Sequence, residues 1–115
     1  MTEAELQDAL LLALPSALPR LRVFRRQVHM VRIEGRMVRA GIRGQADLYG
    51  VWRGGLHLEI ELKAYGGTLR RDQIAWRDFC RSWETPWLLL VGGRSETKTE
   101  TVVRWMAEIA ATAPG

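Results

Sequence analysis

Apolar and charged residues alternate strictly along Leu56-His57-Leu58-Glu59-Ile60-Glu61-Leu62-Lys63. That is the period of a β-strand, in which successive side chains point to opposite faces. Leu56, Leu58, Ile60 and Leu62 form one face and belong to a core. His57, Glu59, Glu61 and Lys63 form the other, so two carboxylates and an ammonium stand in a row. The apolar run before it, residues 46–52, carries a single acid, Asp47. Arg53-Gly54-Gly55 between the two runs predicts a tight hairpin loop, because glycine tolerates the positive φ such turns need. A hairpin there would bring Asp47 and Glu61 near each other across the sheet.

The same reading extends to the rest of the chain. Thr2 and Glu5 have capping-box spacing, and Leu6, Leu10, Ala13 and Leu14 recur at helical intervals, which predicts a helix over 3–14 stopped by Pro15 and Pro19. Glu3 lies on the inward stripe of that helix with Leu6 and Leu10, while Glu5 points elsewhere. Both also suit a first turn, where the helix dipole favours acids. Residues 22–33 alternate loosely and read as a strand; Glu34-Gly35-Arg36 is a turn, with 37–40 pairing back. Gly41-Ile42-Arg43-Gly44-Gln45 is a flexible, basic loop whose small residues let the backbone approach something closely, another strand or a phosphate. It lacks the Gly-Lys-Ser/Thr of a P-loop. A helix over 70–83, a buried strand over 86–91 and a final helix opened by Thr97 and Glu100 complete the order. No repeat, low-complexity segment or internal linker interrupts the chain.

Composition changes the picture in three places. At 115 residues the chain is long enough for one domain with a real core. A formal net charge of +4 points to a polyanionic partner. Of the 17 basic residues only Lys63 and Lys98 are lysines, so a lysine in the charged strand stands out, because the two cations are not interchangeable in a site. Cys80 is alone, which excludes a disulfide framework and fits a reducing, cytoplasmic compartment. With His29 and His57 as the only imidazoles, a structural zinc is nearly excluded. The apolar run at 9–13 is too short to span a bilayer, and Glu3, Glu5 and Asp8 argue against a signal peptide; no membrane partner is expected.

Two clustered carboxylates with a lysine two residues on have the right chemistry for a Mg²⁺ site. Gly44-Gln45-Ala46-Asp47, then Glu61-Leu62-Lys63, in this element order, resembles the PD-(D/E)XK nuclease superfamily. Asp47-Leu48-Tyr49-Gly50, Glu59 to Gly67, and Gln73 with Trp76 are similar to the VRR-NUC nucleases, and Glu3-Ala4-Glu5-Leu6 is similar to the opening of archaeal Holliday-junction resolvases. Ala46 departs from the proline common at that point of the superfamily. The likeness covers nearly the whole chain.

The resemblance implies an α/β fold with a restriction-endonuclease-like core: an α-β-β-β-α-β order with a C-terminal helix around a mixed sheet, as one VRR-NUC-like nuclease domain over 1–115. It implies a Mg²⁺-dependent DNA endonuclease, Mn²⁺ substituting, with structure-selective action on junctions or flaps and a homodimeric assembly. Asp47 and Glu61 would hold the metal with the Leu62 carbonyl, Glu3 completing the site; Lys63 would act on the water or the developing charge, and Gln73 would hold water or phosphate. Arg25, Arg26, Arg43, Arg70, Arg71 and Arg77 are candidate phosphate contacts. Glu59 is the fallback ligand, and His57 a surface or strand-edge histidine. The five tryptophans, Trp52, Trp76, Trp83, Trp87 and Trp105, belong to the core or a subunit interface. Alternatives are a nuclease or nickase without branch preference, and a basic nucleic-acid-binding module in which Glu59, Glu61 and Lys63 are only the solvated face of a strand.

Overall fold

The computed structural model describes residues 1–27 and 29–115, and the backbone alone of residues 29–31, 39 and 40. Helix α1 (Glu3–Ala17) starts where the capping box predicts: Thr2 Oγ1 accepts the Glu5 N–H at 3.1 Å, and Glu5 Oε2 accepts the Thr2 N–H at 3.2 Å. It does not stop at Pro15, which lies inside its last turn. A proline there forfeits one hydrogen bond to the preceding turn, and the helix still closes through the Leu18 N–H on the Leu14 carbonyl at 2.8 Å. Leu6, Leu10 and Leu14 form its buried stripe.

The long strand expected over 22–33 is two strands. β1 (Leu21–Arg25) and β2 (His29–Ile33) belong to different sheets; Val28, between them, lies outside the described residues. Among the described residues β2 pairs only with β3 (Arg36–Ala40), as the turn at Glu34-Gly35 predicts. β4 (Leu48–Trp52), β5 (His57–Lys63) and β6 (Trp87–Val91) join β1 in a four-stranded mixed sheet of order β1-β4-β5-β6. The first two pairings are antiparallel and β5–β6 is parallel. Helix α2 (Arg71–Ser82) provides the crossover between β5 and β6, and α3 (Lys98–Ala110) ends the fold. The fold class is therefore α/β with a mixed sheet. The expected order holds for that sheet and its helices, with the β2–β3 ribbon inserted after β1.

The apolar faces of the strands account for the layers. Leu48, Trp52, Leu58, Ile60, Leu62 and Leu90 meet the leucines of α1 and Val102, Trp105 and Ile109 of α3 in one core. Burying each such side chain contributes on the order of 1.5–3 kcal/mol. Leu56, expected with them, sits in the hairpin loop and is partly exposed. The other face of β5 carries the polar row, and α2 closes over it. Gly44 lets the preceding loop touch α2: at φ 83°, a Cβ there would lie 2.1 Å from the Asp72 carbonyl oxygen. Only glycine tolerates both that contact and that backbone angle.

Candidate active site

β4 and β5 pair with Leu48 opposite Ile60, which sets Asp47 beside Glu61 at the end of the hairpin away from its turn. Asp47 Oδ2 accepts the Leu62 N–H at 3.0 Å, locking the acid onto the strand that carries its neighbour. Glu3, in the first turn of α1, reaches the same point. One carboxylate oxygen each from Glu3, Asp47 and Glu61 lie within 4.8 Å of one another, and no sulfur or imidazole joins them among the described residues. Glu5 is committed to its capping box instead, so the geometry selects Glu3 of the two N-terminal acids.

The polar face of β5 is not solvated. Glu59 and Glu61 are each 1% exposed and Lys63 7%. Lys63 Nζ stands 4.0 Å from Glu61 Oε1. Burial, then the charge of Asp47 and a hydrogen bond with it, push the Glu61 carboxyl up to about 8, with Lys63 opposing. Burial and Asp47 also raise Glu3, against Lys63 and Arg70. Three converging carboxylates with too little positive charge beside them fit a divalent cation, whose charge would offset their repulsion and whose preference is for hard oxygen donors.

Gln73, in the first turn of α2, is also placed at this cluster. Its Nε2 donates to Glu61 Oε1 at 2.9 Å and its Oε1 accepts the Arg70 N–H at 2.9 Å. The backbone donor fixes which way the amide points. Gln73 thus orients Glu61, and its second Nε2 hydrogen is the one left to meet a water or a phosphate.

Glu59 is not a fallback ligand. Arg26 grips it with two nitrogens at 2.6 and 2.9 Å, Trp76 Nε1 donates to it at 2.9 Å, and His57 Nε2 lies 2.5 Å away. Burial alone would raise its pKa; the hydrogen bonds from Arg26, His57 and Trp76 outweigh that and hold it below the usual value. Arg26 is thus the counter-ion of a buried acid, not a phosphate contact. Half-exposed His57 bonds Glu59 and stacks on Tyr49.

The remaining arginines divide. Arg25 pairs with Asp8, and Arg77 with Asp78 at 3.0 Å. Arg43, Arg70 and Arg71 line one shallow depression at the start of α2 with Ala75 and Asp72, which stands 3.4 Å from Arg70; the three arginines keep the candidacy for phosphate contact, Arg70 with that acid beside it. Among the tryptophans, Trp52 and Trp105 are core, whereas Trp83 is 72% exposed. Trp76 has a role that its residue type does not announce. Its signal lies in spacing: Gln73 and Trp76 are one helical turn apart, matching the two-residue step from Glu61 to Glu59.

Fold and site together define an α/β domain carrying a three-carboxylate cluster with an adjacent buried lysine. No family model and no curated protein matches the chain. Among solved structures, the chain is similar to paFAN1 bound to 5′-flap DNA with a 1-nucleotide flap and a gap. The identity is 30%, the TM-score 0.41, and the overlap covers 44% of this chain and 9% of that one. No helix of the described residues is long and apolar enough to cross a membrane.

Proposed function

We propose that this protein is a metal-dependent DNA endonuclease that hydrolyses phosphodiester bonds, with branched DNA as its substrate. The observation that carries the reading is the convergence of Glu3, Asp47 and Glu61 within 4.8 Å, beside one of the two lysines in a chain whose other fifteen basic residues are arginines. The three carboxylates, with the Leu62 carbonyl as a further oxygen, would hold Mg²⁺ or Mn²⁺. Bound there, the ion supplies Lewis acidity at a phosphoryl oxygen and lowers the pKa of water.

The chain's own residues supply the rest. Asp47 and Glu61 are held in place before any ion arrives, one by the Leu62 N–H and the other by Gln73. Such preorganisation costs no rearrangement at the moment of reaction. The Lys63 ammonium lies close enough to the carboxylates to orient an attacking water or to stabilise charge developing on the phosphoryl group. Arg43, Arg70 and Arg71 flank the approach and take backbone phosphates. A homodimer would present two such sites to two strands of a branched substrate.

The test is cleavage of flap, four-way-junction and linear duplex DNA in Mg²⁺, with Asp47→Ala and Glu61→Ala beside the parent. The proposal expects both variants to lose cleavage and to bind DNA as well as the parent or better, because removing a carboxylate lessens repulsion. Equal cleavage of linear and branched DNA would remove the branch preference; cleavage by Asp47→Ala would remove the site.

A further inference from the structure

The β2–β3 ribbon stands apart from the sheet that holds the site. Its strands pair with each other and not with the main sheet, and among the described residues no helix or other strand packs substantially against it. An isolated two-stranded hairpin is marginal in water. This one nevertheless leaves apolar side chains uncovered: Ile33 is 53% exposed, Met37 55% and Val38 42%. The ribbon springs from the ends of β1 and β4 next to Asp47, because Arg25 is opposite Leu48 in the register. It therefore projects from the end of the sheet that holds the carboxylates. The radius of gyration, 15.0 Å, exceeds the roughly 13 Å expected of a compact chain of this length, as a projecting element requires.

Its charge identifies the partner. Arg32 and Arg36 are exposed and have no ion-pair partner among the described residues, and Arg39 lies on the same ribbon. The one acid is Glu34, at the turn. A second copy of the ribbon would set these arginines against each other with little counter-charge. A nucleic-acid duplex offers the opposite charge, and a two-stranded ribbon fits its major groove. We infer that the β2–β3 ribbon is a duplex-binding arm: Arg32 shares one face with Met37 and Arg36 the other face with Ile33, so each face of a ribbon lying in the groove offers an arginine to the backbone phosphates. This rests on the nuclease reading only for the arm's purpose, which is to hold duplex beside the site.

The experiment measures binding of a fluorescent 30-base-pair DNA duplex in Ca²⁺ across a salt series. It is run on the parent, on Arg32→Ser/Arg36→Ser, on Arg32→Lys/Arg36→Lys and on Glu34→Arg, with molecular mass in solution measured for each. The serine variant should bind at least tenfold more weakly at low salt, and its log–log salt slope should be shallower by about 1.8, roughly 0.9 for each phosphate no longer neutralised. The lysine variant should bind like the parent, and Glu34→Arg more tightly. Mass should be unchanged throughout, as should hydrolysis of bis(p-nitrophenyl) phosphate, which is too small to need the arm. Duplex binding unaltered by the serine and Glu34→Arg changes would overturn the inference. So would a fall in mass accompanying the weaker binding, which would make the ribbon an interface between copies. The nuclease reading fails separately: a parent that binds through the ribbon yet cleaves nothing in Mg²⁺ keeps the arm and loses the activity.

Discussion

A chain that supplies positive charge almost everywhere as arginine places a lysine at position 63, buried beside Glu61. The ammonium is compact, whereas a guanidinium is larger, planar and holds its donors in a fixed fork. Lys63→Arg should therefore cleave about 100-fold more slowly in single turnover, the scale of loss that follows a misplacement of about 1 Å, while binding DNA as tightly as the parent. Parent-like cleavage would reduce Lys63 to a mere charge. Glu61 makes a prediction about pH. Its carboxyl is pushed up from 4.5 to about 8, so its contribution to stability without a cation is complete below pH 4.5 and is lost as pH climbs to about 8. Cation-free Tm should fall across that window, and added Mg²⁺ should raise Tm more at pH 8 than at pH 6. Glu61→Gln should flatten both trends; a parent profile already flat in a thermal-shift series would contradict the assignment. Strand parity and the hairpin put Asp47, Glu61 and Lys63 near one another in the sequence reading, and the roles expected of them came from the family resemblance. Parity could not foretell that Glu59, on the same face, is consumed by Arg26 and Trp76, since that depends on contacts 33 and 17 residues away.

At the scale of elements, α2 and β5 are joined by two polar rungs, Gln73 on Glu61 and Trp76 on Glu59. The second rung sets how α2 lies on the strand and so where Gln73 meets Glu61. Trp76→Phe keeps an aromatic ring and deletes the donor. It should cost about 1–3 kcal/mol in urea unfolding, the range for loss of a hydrogen bond to a buried charged group. Cleavage should fall along with it, although Trp76 does not touch the carboxylate cluster. Unchanged stability would show that Arg26 and His57 satisfy Glu59 without Trp76. Capping boxes and period-two alternation made most elements readable in advance. Two boundaries were not. Pro15 sits where a helix can spare one hydrogen bond, so it ends nothing. The break between β1 and β2 carries no glycine or proline, and only the pairing of β1 with β4 reveals it.

Across the whole molecule, apolar residues on one side of the sheet build the core with α1 and α3, and polar residues on the other build the site under α2. The sheet thus has two different jobs on its two faces, and the sequence shows both as a single alternating run. Glu3 links them: it begins the helix whose leucines fill the core, yet its carboxylate joins the acids of the other face. The most direct measurement is single-turnover cleavage of end-labelled flap DNA by the parent and by Asp47→Ala, each in Mg²⁺ and in EDTA, with DNA binding followed separately in Ca²⁺. Metal-dependent hydrolysis through Glu3, Asp47 and Glu61 predicts product only for the parent in Mg²⁺, with both proteins binding the DNA. Cleavage that survives EDTA, cleavage by Asp47→Ala, or no cleavage by a parent that binds DNA would contradict it.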